Sequence, residues 1–232
     1  MSRYYRIAGL TVLLDSFGRT VAQAEPYSIE PCVHPDIVIS NVWNTVSIRH
    51  PEMTADMGEY IFTGMRFYRE LLNFNGLMLH SSAVVVDGEA YLFTADCGTG
   101  KSTHTALWLR QFGEKAYILN DDKPALRLED GIWYAYGTPW SGKDDISANK
   151  RAKVGGIALL QRSAVNEIVP TGGMEALQVL MKQTNRPKAP ERVEKYLELL
   201  DKLITAVPIW RLRCNMEPEA ALISYKAMSN KE

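Results

Sequence analysis

Cysteine is scarce in this chain, and what there is forms no pattern. The 232 residues include three cysteines, Cys32, Cys97 and Cys214, widely scattered and without a CxxC pair. That excludes a zinc ribbon and a disulfide framework, and it suits a reducing cytosol. An excess of charge of one sign is also missing. The formal net charge is -1, which gives no electrostatic case for binding nucleic acid or an anionic membrane surface. Long apolar runs are absent. The longest near the N-terminus, Ile7 to Leu14, is broken by Gly9 and Thr11 and is too short to cross a bilayer. No small-residue cleavage site follows it, so the expectation is a soluble, cytoplasmic protein. There is no internal repeat and no low-complexity tract. What is present, 46% hydrophobic and 23% charged residues, is ordinary globular composition with enough apolar material for one sizeable core.

The first 50 residues alternate loosely between apolar and polar, punctuated by Pro26, Pro31 and Pro35. Short strands are expected at Arg6–Leu14 and Ile37–Val42. Residues 59–73 carry Ile61, Met65, Tyr68, Leu71 and Leu72 at helical spacing. Two β-rich runs, 82–86 and 90–94, are joined by Asp87-Gly88. A second pair, 125–128 and 132–136, is joined by Asp130-Gly131. Asp-Gly closes tight hairpins because both central residues adopt positive φ. Antiparallel hairpins on both sides of residue 100 argue for a mixed sheet. Residues 156–161 read as a buried strand, and Met174, Leu177, Leu180 and Met181 as a helix face. A helix opening at Pro190-Glu191 and a strand at Ile209–Leu212 follow. Asn215 is a candidate cap for a last helix with Pro218 in its first turn.

Between the two hairpins lies the stretch Tyr91-Leu-Phe-Thr-Ala-Asp-Cys-Gly-Thr-Gly-Lys-Ser-Thr103. Ala95, Asp96, Cys97, Gly98, Thr99, Gly100, Lys101 and Ser102 match the Walker A spacing, with alanine at the position usually held by glycine. Small residues let successive backbone N–H groups face phosphate oxygens, and the helix that follows adds positive potential at its N-terminus. Lys101 would reach the outer phosphates of ATP, the Ser102 hydroxyl would ligate Mg²⁺, and Thr103 would flank the site. Alanine is tolerated at the first position provided its φ is negative. The strand before the loop and the helix after it, with Thr105, Trp108, Leu109 and Phe112 on one face, supply the context this chemistry needs.

Phosphoryl transfer also requires carboxylates beside the phosphates. Asp121 and Asp122 end the apolar run 116–120, as in a Walker B element; the alternative is an acidic turn at a strand end. His80 precedes the first hairpin strand, and its side of the sheet depends on register. From spacing alone it reads as a hydrogen-bonded structural histidine. His104, on the first turn after the loop, reads as solvent-facing or packed. Residues 137–143, with two glycines, Pro139, Trp140 and Lys143, form either a shaped loop for an acidic or phosphorylated partner or a turn around a packed tryptophan.

This order, a histidine before a strand, an Asp-Gly hairpin, a Gly-Lys-Ser loop and an early Asp-Asp strand end, resembles the C-terminal catalytic domain of HPr kinase/phosphorylase. That family's loop is of the phosphoenolpyruvate-carboxykinase type, and the likeness is to its small relatives lacking the N-terminal domain. It covers residues 77–162. The resemblance implies that Ala95 to Ser102 hold ATP phosphates and that Ser102 and one aspartate hold Mg²⁺. It makes Asp121 the general base toward an acceptor hydroxyl, puts Asp122 at the metal, and sets His80 near the transferred phosphate. The family's loop begins with glycine where this chain has Ala95.

The expected architecture is one α/β domain, residues 1–232, with a mixed, largely antiparallel sheet and a P-loop of that type. Residues 1–75 would supply N-terminal strands and a helix, 76–165 the nucleotide-binding core, and 166–232 C-terminal helices and a strand. The expected activity is ATP-dependent phosphotransfer to a hydroxyl, foremost a serine or threonine of a peptide or small protein. A small-molecule acceptor and a non-catalytic nucleotide-binding regulator are the alternatives. No nucleic-acid or membrane partner is expected, and a homo-oligomer is left open.

Overall fold

The computed structural model describes residues 2–40 and 50–229. The chain begins with an antiparallel hairpin, β1 (Ser2–Ile7) and β2 (Leu10–Asp15), to which β3 (Ile37–Ile39) adds in parallel. The single strand expected at 6–14 is therefore two strands folded at Ala8-Gly9, which take φ of 51° and 77°. Alanine rarely turns a chain this way, and the apolar residues on either side hide the break. Of the strand expected at 37–42, positions 41 and 42 lie outside the described residues. Helix α1 (Gly18–Ala24) and helix α2 (Ala55–Leu71) follow, α2 capped at its N-terminus by Thr54 Oγ1 accepting from the Met57 N–H.

The main sheet has nine strands: β4 (Gly76–Met78), β5 (Ser81–Val86), β6 (Glu89–Thr94), β7 (Ala116–Asn120), β8 (Ala125–Glu129), β9 (Ile132–Tyr136), β10 (Arg151–Arg162), β11 (Glu167–Pro170) and β12 (Ile209–Cys214). Its path runs β4-β8-β9-β10-β6-β5-β7, with β12 beside β10 and β11 outside β12. Among the described residues six of its eight pairings are antiparallel, and β10 makes the two parallel ones, to β6 and β12. The fold is thus a mixed α/β arrangement with a largely antiparallel sheet. Both hairpins form at the Asp-Gly turns, with φ of 52° and 84° at Asp87 and Gly88.

Helices cover both faces. Helix α3 (Lys101–Phe112) and helix α6 (Glu219–Ser229) pack on one, around Trp108, Phe93 and Ala221. Helix α4 (Gly173–Gln183) and helix α5 (Pro190–Ala206) pack on the other, around Leu180, Leu200 and Leu203. Being covered on both sides explains why β5, Ser-Ser-Ala-Val-Val-Val, is buried along its whole length rather than alternating. Each such buried aliphatic side chain contributes roughly 1.5–3 kcal/mol. A third cluster joins the N-terminal strands and α2 to Ala125, Tyr136 and Trp140. Asn215 does not cap α6 directly; its Oδ1 accepts from Glu217 N at 3.0 Å, one turn earlier. No helix among the described residues is long and apolar enough to cross a membrane.

Candidate functional site

Strand β6 runs into residues 95–100 and then directly into α3, so the loop spans the end of a central strand and a helix N-terminus. Ala95 is absent from the positive-φ residues, while Gly98 and Gly100 take φ of 77° and 117°. Around both glycines a Cβ would meet nothing within 4 Å. Backbone conformation, not crowding, is what calls for glycine there. Three of the loop's carbonyls are held by cations that also line the cleft. Arg162, at the end of β10, donates Nε to Thr99 O at 3.0 Å and a second guanidinium nitrogen to Gly98 O. Lys101 donates to Ala95 O at 3.0 Å. Burial pulls the Lys101 pKa below its ordinary value, against the pull of Asp122 and other nearby acidic groups.

The loop opens on a cleft of about 860 Å³. Cys97, Gly98, Thr99, Gly100, Lys101, Ser102 and Thr103 line it, together with His80, Asp121 and Asp122. Two of the expected loop residues do not: Ala95 is buried, and Asp96 turns its Oδ1 to Gln183 Nε2 at 3.1 Å. Register decides the place of His80. Ser81 pairs with Thr94, and Thr94 Oγ1 donates to His80 O at 2.8 Å, so the histidine abuts the loop end of the sheet.

The two acids stand in opposite environments. Burial raises the Asp121 pKa; the Ser82 and Ser102 hydroxyls bond to its carboxylate and partly counter that, while Asp144 and Asp122 add to it. Burial would also raise Asp122, but His80 and Lys123 hold it down to about 2. His80 Nε2 lies 3.2 Å from Asp122 Oδ1, and Lys123 pairs with the other oxygen. His80 Nδ1 lies 2.8 Å from Gln183 Oε1, so both ring nitrogens face acceptors. A continuous chain results: Asp96 to Gln183, Gln183 to His80, His80 to Asp122.

Residues outside every motif hold the acids in place. Asn120 is fully buried; its Oδ1 accepts from the N–H groups of Asp122 at 3.0 Å and Lys123 at 2.7 Å. Its Nδ2 donates to Thr138 O at 3.1 Å. Residues 137–143 are both a turn around a packed tryptophan and a wall of the site. Trp140 stacks on Phe67 with ring centroids 5.0 Å apart, and the following Ser141, Gly142 and Lys143 line the cleft. Gly142 has φ of 82°, and a Cβ there would come within 2.7 Å of Asp122 Cβ. The N-terminal region braces this segment: Arg19 of α1 donates to Gly142 O and pairs with Asp145. His104 is a packing residue. It is buried edge-on to Phe93, bonds to Ser224 Oγ at 3.1 Å, and is held down to about 4 by burial.

Ser82, Asn120, Arg162 and Gln183 do not stand out in the sequence. Asn120 had a usable signal, as a short polar residue at a strand end before two acids. The others belong to no local pattern.

The arrangement defines a class: a mixed α/β protein whose glycine-containing strand–loop–helix turn faces two carboxylates and a histidine. Among solved structures the chain is similar to the HPr(Ser) kinase/phosphatase from Coxiella burnetii, at 11% sequence identity and a TM-score of 0.37, covering 66% of this chain and 95% of that one. No protein-family model matches the chain, and no curated relative matches it. That structural likeness is remote, and the functional reading rests on the cleft's own residues.

Proposed function

We propose that this cleft binds Mg-ATP and transfers its γ-phosphoryl group to an alcohol, foremost a serine or threonine of a peptide or small protein. The observation that carries the reading is the convergence of the loop and two differently tuned carboxylates at one end of the sheet. The loop's N–H groups and the α3 N-terminus suit the phosphate oxygens, and the Lys101 ammonium offsets their charge. Asp121, with its raised pKa, takes the proton of the acceptor hydroxyl as the oxygen attacks phosphorus. A bond forms between that oxygen and the γ-phosphorus, the bond to the β,γ-bridging oxygen breaks, and ADP leaves. His80, held between Asp122 and Gln183, orients the Asp122 carboxylate at the edge of the cleft.

Hard oxygen donors suit Mg²⁺. Asp122 stays ionised, its two oxygens retain lone pairs beyond His80 and Lys123, and Ser102 is an exposed residue at the helix start that lines the cleft. Bound there, Mg²⁺ would neutralise charge on the outer phosphates.

The test is transfer of label from γ-labelled ATP into a lysate of the source cells and into synthetic peptides containing serine or threonine. Label on an alcohol side chain, absent with Lys101→Ala, is the expected result. Tight Mg-ATP binding with no labelled acceptor in any pool would replace the kinase reading with that of a nucleotide-binding regulator.

A further inference from the structure

A second cleft, of about 560 Å³, lies between α2, β4 and the segment joining α4 to α5. Nothing in the phosphate-site chemistry uses it. Its floor is apolar, from Leu72, Leu77 and Met78, while Arg69, Arg186, Lys188 and Arg192 stand around it with Glu191 as the single acid in the lining. Arg69 and Arg192 already engage Glu70. Arg186 and Lys188 form no ion pair among the described residues. In a chain whose net charge is -1, this is a local concentration of positive charge over an apolar floor.

Its position relates it to the first cleft. Leu79 bridges Thr184, and the His80 N–H donates to Gln183 O at 2.7 Å, forming a thin wall between the two. Met78 lines the second cleft, and His80, two residues further along the chain, lines the first. At strand rise that is about 7 Å.

We infer that this cleft docks the acceptor polypeptide, gripping acidic side chains and an apolar side chain two or three residues from the hydroxyl that receives phosphate. The inference rests on the phosphotransfer reading for its purpose, although binding itself needs no nucleotide. A polypeptide is favoured over a small anion by the chemistry of the walls. A lone phosphate would leave the apolar floor unused, whereas an acidic segment with one apolar residue matches both.

Fluorescence anisotropy on the full chain, without nucleotide, tests this with a labelled decapeptide containing one serine flanked by glutamates and one leucine. A second peptide carries glutamine in place of glutamate. The acidic peptide should bind saturably and about tenfold more tightly than its neutral counterpart, weakening as salt is raised. Arg186→Glu with Lys188→Glu should lose that preference. Lys115→Glu with Lys202→Glu reverses two exposed lysines that line neither cleft and should keep it. Equal binding of the two peptides, equal losses in both double variants, or full competition by inorganic phosphate would each overturn the proposal. Mg-ATP calorimetry on the wild type tests the first cleft independently. ATP binding without peptide binding removes only the docking site, and peptide binding without phosphotransfer removes only the kinase reading.

Discussion

Asp121→Asn is expected to lower the rate of phosphotransfer by roughly 10²–10⁴ while Mg-ATP still binds. The substitution preserves shape and one acceptor oxygen, so the Ser82 and Ser102 hydroxyls keep a partner. What it removes is the capacity to take a proton. The raised pKa of Asp121, caused by burial, makes it the better base, and the depressed value at Asp122 makes that residue the poorer one. Single-turnover labelling and binding calorimetry on the same preparation separate the two effects. If Mg-ATP affinity falls in step with the rate, Asp121 holds the cation rather than the proton. If transfer is unchanged, the base is another group, and His80 is the next to replace.

The second large effect concerns stability. Glu59 on α2 is 1% exposed; its Oε2 accepts from Thr20 Oγ1, and its Oε1 has no partner among the described residues. Burial pushes its pKa up to about 7; the bonds from Thr20 and Phe17 oppose this, and the nearby Asp56 and Asp15 add to it. Below the ordinary carboxylate range the group is neutral in both folded and unfolded chains. Between that range and pH 7 the unfolded chain releases the proton while the folded one keeps it. Stability from this residue therefore falls as pH rises, by about 1.4 kcal/mol for each pH unit across that window and by about 3 kcal/mol in all.

His104 acts in the opposite sense. Its ring stays neutral in the fold down to about pH 4, so the unfolded chain takes up the proton first as pH falls. The readout is therefore the difference between wild type and Glu59→Gln in urea unfolding at pH 5 and pH 8. The variant should gain on the wild type as pH rises. A parallel pH profile in the two proteins would show that Glu59 ionises normally in the fold. The consequence reaches the cleft, because Thr20 adjoins Arg19, the residue that holds Gly142 against Asp122.

What could be read in the sequence was local. Asp87-Gly88 and Asp130-Gly131 announce their hairpins because two adjacent residues carry the whole turn, and the loop from Ala95 to Ser102 is contiguous with its strand and helix. Ala8-Gly9 announced nothing, because apolar residues continue on both sides and an alanine at positive φ has no sequence signature. His80 could not be placed without the Ser81–Thr94 register, which tertiary packing fixes. Gln183 reaches His80 across 103 positions, and Arg162 reaches Thr99 across 63. No pattern within a window predicts such pairs. Helical spacing did not say which apolar residues of α2 are buried: Tyr68 and Leu71 are, whereas Met65 is 53% exposed and lines the second cleft.

The central claim is that the loop between Ala95 and Ser102 receives ATP phosphates, and isothermal calorimetry of Mg-ATP with wild type and Lys101→Ala tests it most directly. Lys101 is the one cation the loop itself contributes. The wild type should show one saturable site and the variant an affinity at least about tenfold weaker, with unchanged circular dichroism. Equal affinities in the two proteins, or no binding to a correctly folded wild type, would contradict it.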